Sequence, residues 1–372
     1  MFAVMRLSRA HRQLFYGIYK YVQRNEHELT STVTEGARIT WRSFEPGIFF
    51  IFVHPNEHVE DTTVDSFVQL LFNSLTFLLS KESLSADATS LRLSLRACFG
   101  FIDHLLQEHN NLALQLGCME VALSGSPAEL QEVLNTFCEH AESNYGALLV
   151  GGRCVAATEP FWELSSTDTC LVCAYAAYLP ASDAFDGPVF LPTLSPDVPH
   201  RFVRLRLLHN VYVVLLCGAR PALHTLVQQL VPSIWKGILP LLQDTARLEE
   251  TGLPPSSSTV HESVLGVLAV DPVYHRCLVT TPSPDVQLQH TRCPTRRILR
   301  AWYKQILDAR HQLDTDTQQL HETYSCHETY STYAILRPTC HVLVVLAPSL
   351  PTYALKAVAQ ETAATLSQLG LG

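Results

Sequence analysis

Charge is scarce in this chain, and long apolar runs are absent from it. Charged residues make up 16% of its 372 residues, with 26 Lys and Arg against 35 Asp and Glu. A net charge of −9 offers no general attraction to a phosphate backbone, so nucleic acid is not an expected partner. The longest apolar stretches, such as Val211 to Cys217, fall far short of the roughly 18 residues that a bilayer crossing needs. Membrane contact is therefore expected only indirectly. Met1 to Met5 is too short for a secretory leader, and no signal peptide is expected. No acidic residue precedes Glu26, and Arg6, Arg9, Arg12, Lys20 and Arg24 lend the start a presequence-like charge. Leu7, Leu14, Ile18 and Tyr21 stand at helical spacing, however, which favours a folded first helix. A phosphate-binding loop is missing too, since no Lys-Ser or Lys-Thr follows a glycine run before a helix.

Cysteine, by contrast, is plentiful. The 11 cysteines form an odd set without framework spacing, which suits a reducing, cytoplasmic compartment and reads as buried apolar thiols. Hydrophobic residues at 47% of the chain are enough to fill two or three cores.

Those residues fall into a repeated order of elements. Gly146 to Val150 and Arg153 to Thr158 flank Gly151-Gly152, a pair suited to a tight hairpin turn with positive φ. Ser166 or Thr167 is expected to cap a following helix marked by Leu171, Tyr175 and Tyr178. Strands follow at Pro188 to Leu191, Arg201 to Leu208 and Val211 to Cys217, then a helical stretch from Ala222 to Gln243. After the Pro/Ser-rich linker 251–259 the order returns. Val264 to Val270 and Cys277 to Thr281 flank Asp271-Pro272, Ile298, Trp302, Ile306 and Leu313 mark a helix, Tyr330 to Leu336 and His341 to Leu346 read as strands, and Leu355, Val358, Thr362 and Leu366 close on a helix. The tandem copies His321 to Ser325 and His327 to Ser331 read as a local duplication that lengthens one strand approach, without a function.

A first module, 1–124, follows the same order only from its middle. It opens on a helix, continues with Arg38 to Phe44 and Ile48 to Val53 around Pro46-Gly47, and ends on two helices carrying Val64, Phe67, Leu71, Leu75 and Leu78, then Leu91, Leu95, Cys98, Ile102 and Leu105. Its opening hairpin is absent. An exposed sheet edge of this kind implies either an incomplete N-terminus or a partner that completes the sheet.

The chemistry-bearing patterns are few. His54-Pro-Asn-Glu-His58 matches the inverted zinc-protease pattern, but that site needs both histidines on one helix, and Pro55 disfavours helical geometry at His54. Cys170 and Cys173 form a lone C-x-x-C that reads as one face of a buried helix. The 17 histidines are dispersed and no catalytic triad order stands out. Arg296, Arg297, Arg300, Lys304 and Arg310 make one helix basic, which could face acidic lipid head groups or, the favoured reading, form a solvated face opposite Ile298, Trp302 and Ile306. No catalytic, cofactor or metal residues are assigned. Trp41, Phe44, Phe49, Phe50 and Phe52 put aromatic rings around one strand pair; packing by the module's own helices is the plainer reading, and a partner interface the other.

Five strands with one helix after the first hairpin and one or two after the last strand is the arrangement of longin-like domains. Gly151 to Leu164, Pro188 to Pro192, Val198 to Arg201, Leu215 to Gly218 and Ile39 to Phe44 themselves resemble the Fuzzy-like, tri-longin family of planar cell polarity effectors. The resemblance implies an α/β chain of three tandem longin-like domains, each an antiparallel five-stranded sheet flanked by helices. They span 1–124 (lacking the opening hairpin), 125–250 and 260–372. It implies further a subunit without covalent chemistry of a heterodimeric exchange factor for a Rab-type small GTPase. The implied partners are Inturned and a WD-repeat planar polarity effector, at the ciliary base or basal body and associated with the cytoskeleton. A trafficking or scaffold adaptor uses the same fold and remains the alternative. A zinc hydrolase on His54 and His58 is the third.

Overall fold

The structure, a computed structural model, describes residues 9–25, 27, 29–45, 47–55, 61–108, 111–254, 260–281, 295–313 and 322–371. They form two compact units, one holding Met1–Asn111 with Pro188–His200, the other Leu112–Gly187 with Arg201–Gly372.

The first unit begins with α1 (Arg9–Arg24), followed by strands β1 (Ser31–Val33), β2 (Ala37–Phe44) and β3 (Ile48–Pro55) in sheet order β1-β2-β3. Gly47, at φ 105°, donates its amide to Phe44 O at 2.8 Å and closes the β2–β3 turn, a conformation that glycine adopts at little cost. Helices α2 (Asp61–Leu79) and α3 (Ala88–Gln107) follow, with Leu75, Leu84 and Cys98 at the centre of their packing. Asp87 caps α3 by accepting the amides of Thr89 and Ser90 at 2.9 and 3.2 Å. The strand β1 had not been anticipated, because Ser-Thr-Val is too short to show alternation.

In the second unit α4 (Leu112–Leu116) leads into β4 (Met119–Glu120) and α5 (Pro127–His140). Strands β5 (Tyr145–Val150) and β6 (Arg153–Ala157) form the expected hairpin, with Gly151 and Gly152 at φ 54° and 84°. Next come the short α6 (Glu159–Trp162) and α7 (Ser166–Tyr178), whose cap is Ser165, one residue earlier than expected; its hydroxyl accepts from Asp168 N at 3.1 Å. Strands β7 (Ala184–Leu191), β8 (Ser195–Arg206) and β9 (Val211–Cys217) complete a sheet of order β6-β5-β9-β8-β7. The expected single helix after β9 is segmented into α8 (Leu223–Thr225), a π turn, α9 (Val231–Trp235), a 3-10 turn, α10 (Leu239–Ala246) and α11 (Leu248–Thr251). Pro232 and Pro240 explain the breaks: lacking an N–H, each stands in the first turn of its segment. One face of this sheet buries Leu148, Val203, Val213 and Leu215 against Leu134 and Phe137 of α5, Trp235 of α9 and Leu242 of α10.

The third module repeats the plan with β10 (Val264–Asp271), β11 (Arg276–Thr280), α12 (Thr295–Leu313), β12 (Glu322–Cys326), β13 (Ser331–Leu336), β14 (His341–Leu346) and α13 (Leu355–Gln368). Its core joins Leu268, Val270, Val279, Leu343 and Val345 to Ile298, Leu299, Tyr303 and Ile306 of α12. The first copy of the tandem repeat supplies β12. The second makes the turn, with His327 N donating to Tyr330 O at 2.9 Å, and runs into β13, so the duplication builds a whole edge strand rather than lengthening one.

One boundary is corrected. Residues 112–124 were assigned to the first module, yet they lie in the second unit, where β4 pairs in parallel with β11 and bridges to β6 through Val121 and Cys154. The reason is hydrogen bonding on both sides: Val121 N donates to Cys277 O at 2.8 Å, and Ala122 N donates to Cys154 O at 2.9 Å. This short connector thereby links the two sheets of the second and third modules, pairing with β11 and reaching β6 through a single isolated bridge.

Candidate functional site

The aromatic pair of strands β2 and β3 is the first candidate surface. Trp41 N donates to Thr30 O at 2.9 Å, so the odd-numbered residues of β2 bond towards β1 and the even-numbered ones towards β3. Side chains of the odd set face α1: Trp41, 2% exposed, meets Phe15 at 6.3 Å between ring centroids, and Phe49 meets Tyr19 at 3.9 Å. The even set faces α2, where Phe44 stacks on Phe72 at 4.3 Å, Phe52 meets Phe67 at 6.0 Å, and Phe50 packs against the core around Leu75. The structure thus brings all five rings together around one sheet. Trp41 is buried and the other four are half-buried under the unit's own helices.

The remaining sequence patterns land as follows. His54 is buried at the end of β3, and His58 lies outside the described residues. Among the described residues no group of three or more His, Cys, Asp or Glu has a metal-holding arrangement. No helix among them is long and apolar enough to cross a membrane. Cys170 and Cys173 lie buried on α7, where Cys173 Sγ meets Met119 Sδ at 3.4 Å. Burial pushes both thiols well above their ordinary value. On α12, Arg296 and Arg297 are exposed opposite buried Ile298 and Ile306, the solvated face expected; the side chain of Arg310 lies outside the described residues. Burial, and then Arg297, lowers the pKa of half-buried Arg300.

Two buried arginines of the second unit were missed. Arg153 of β6 donates Nε to Glu120 Oε1 of β4 at 2.8 Å and Nη1 to Glu249 O of α11 at 2.8 Å. It therefore ties three elements at the junction of the two sheets. Arg204 of β8, 2% exposed, donates Nη1 to Ala176 O and Leu179 O at 2.7 and 3.0 Å and Nη2 to Pro180 O. Its guanidinium lies 4.5 Å from the Tyr212 ring. A cation aimed at the C-terminal carbonyls of α7 satisfies acceptors that the helix leaves open. The available signal was a charge inside an apolar run, Phe202-Val-Arg-Leu205.

Successive antiparallel meanders, each closed by a first hairpin and flanked by helices on both faces, define a protein of tandem longin domains. Residues 141–236 match the model of the second longin domain of FUZ, MON1 and HPS1, and residues 263–369 match that of the third. Together these cover more than half of the chain, which belongs to the FUZ, MON1 and HPS1 longin family. Within it the chain is 27% identical over 376 residues to the fuzzy homolog of Xenopus tropicalis, covering 95% of this chain and 90% of that protein. To the human fuzzy homolog it is 29% identical over 379 residues, covering 95% and 88%. The mouse homolog is 28% identical over 370 residues with the same coverage.

Proposed function

We propose that this chain is a planar cell polarity and ciliogenesis effector, one subunit of a heterodimeric guanine-nucleotide exchange factor that acts with Inturned on a Rab-type GTPase. A WD-repeat planar polarity effector joins the pair. The observation that supports this reading is similarity to fuzzy homologues along 95% of the chain. In this reading the protein works in the cytoplasm at the ciliary base, associated with the basal-body cytoskeleton, and touches membranes only through its partners. Exchange is differential binding: the platform must prefer the nucleotide-free GTPase, because a surface that bound both states equally would shift nothing. Such work asks for shape rather than nucleophiles, and the chain makes and breaks no covalent bond.

The test is release of labelled GDP from a panel of Rab GTPases with this chain alone, with Inturned alone, and with both. Acceleration by the pair only, on one Rab, is the expected result. A stable complex without acceleration would overturn the exchange reading and leave an adaptor at the ciliary base.

A further inference from the structure

The turn between β10 and β11 carries Pro272, Val273 and Tyr274, with Val273 at 61% and Tyr274 at 50% exposure. A hairpin turn is ordinarily built of Gly, Asn, Asp and Ser. This one presents apolar side chains and is held rigid beneath them. Asp271 Oδ1 accepts the amides of Val273 and Tyr274 at 3.0 and 3.1 Å, and His275 O accepts Met119 N of β4 at 2.8 Å. Arg276 donates Nε to Asp271 Oδ2 at 2.8 Å and lays its guanidinium 5.1 Å from the Tyr274 ring and 5.2 Å from the ring of Trp162, the last residue of α6. One cation thereby makes neighbours of a half-buried ring from the second module and an exposed ring from the third. The charge of Arg276 is neutralised by Asp271. The acids beside the patch are not neutralised: Glu159 and Glu163 flank Trp162, both are exposed, and neither has an ion-pair partner among the described residues. Glu163 keeps helical angles, φ −78° and ψ −11°, so the two carboxylates share one face of α6.

We propose that this patch is a docking surface for a partner polypeptide that presents an arginine or lysine beside an aliphatic side chain. Charge decides the occupant. Two unpaired carboxylates, in a chain of net charge −9, attract a cation and repel an anionic lipid surface. A second copy of this chain, meeting the patch across a two-fold axis, would set the same carboxylates against each other. A partner's guanidinium can stack on Trp162 or Tyr274, as that of Arg276 does, while its N–H groups bond to Glu159 or Glu163. The aliphatic neighbour then covers Pro272 and Val273. Because the turn is fixed by its own hydrogen bonds, little conformational freedom is lost on docking.

The test is fluorescence anisotropy on the full chain with two short labelled peptides, one alternating leucine with arginine and the other leucine with glutamate. The arginine peptide binds, more weakly as salt rises, and the glutamate peptide does not. The double variant Glu159→Gln, Glu163→Gln weakens binding about fivefold, the worth of two exposed ion pairs. The double variant Val273→Ser, Tyr274→Ser weakens it about tenfold through loss of the apolar contact. The four side chains are exposed, so thermal unfolding of both variants should match the wild type, and the charge variant carries the test if the turn variant does not. Equal affinity for the two peptides, undiminished affinity in the charge variant, or absence of binding at millimolar arginine peptide overturns the proposal. None of these outcomes depends on a GTPase or on Inturned.

Discussion

Replacing Arg204 by Met keeps most of the side-chain volume and removes the donors, which isolates the role of the buried charge. The wild-type guanidinium serves Ala176 O, Leu179 O and Pro180 O at the C-terminus of α7. Hydrogen bonds from a charged donor contribute about 1.5 kcal/mol each, and three are lost. Against this, burial disfavours the guanidinium itself and lowers its pKa, so an uncharged side chain recovers about 1–2 kcal/mol of dehydration cost. The expected net loss is about 3 kcal/mol, or about 6–12 °C in Tm for a unit of this size. Arg204→Lys keeps the charge without the planar fork, reaches fewer carbonyls and should lose about half as much. Urea unfolding measures the difference, and hydrogen exchange at α7 and β8 localises it. If Arg204→Met is as stable as the wild type, or more so, dehydration of the charge dominates and the capping argument fails.

Three further predictions concern other side chains. Arg153→Met should lose about 2–4 kcal/mol, since it strips a buried partner from Glu120, and should speed exchange at Val121 and Ala122; unchanged exchange there would mean that backbone pairing alone holds β4. Thiol labelling of the folded protein should modify Cys326 quickly and spare the nine buried cysteines among the described residues. Burial pushes the Cys138 and Cys154 thiols up to about 12, so rapid native labelling of either would contradict their packing. Lys356 Nζ and Tyr333 Oη each donate to Glu322 Oε2 at 2.7 Å, which holds that carboxyl below its ordinary value of 4.5. A depressed carboxyl stabilises the fold fully above 4.5 and less as pH falls through the folded value. The lead of the wild type over Glu322→Gln should therefore shrink below about pH 4.5, and a constant lead would refute the linkage.

Much of this architecture was legible because it is local. Val211–Cys217 and His341–Leu346 are continuous apolar runs with sharp ends, and both are strands with those bounds. Gly151-Gly152 announced its turn through the one residue type that accepts both positive φ values at little cost. The amphipathic spacings of α2, α3, α12 and α13 located four helices by period alone. The edge strands β1 and β12 carry mostly polar residues and little alternation, so nothing in their composition marks them. Of the candidate surface, the five aromatic residues were legible, but their division between α1 and α2 was not, because register decides which face a strand residue takes.

The sequence by itself determined the order of elements, their turns and the apolar faces that had to be buried, since each of these depends on residues a few positions apart. Tertiary structure alone decided where a strand with no pattern of its own finds its partners. Met119 and Glu120 become a strand only because β11 lies beside them, and Val121 and Ala122 carry the chain on to β6. It decided equally which charges are buried: Arg153 answers a carboxylate 33 positions away and Arg204 a helix end 24 to 28 positions away. A buried donor is stable only against an acceptor brought to it in space, and that juxtaposition is a property of packed layers rather than of neighbouring letters.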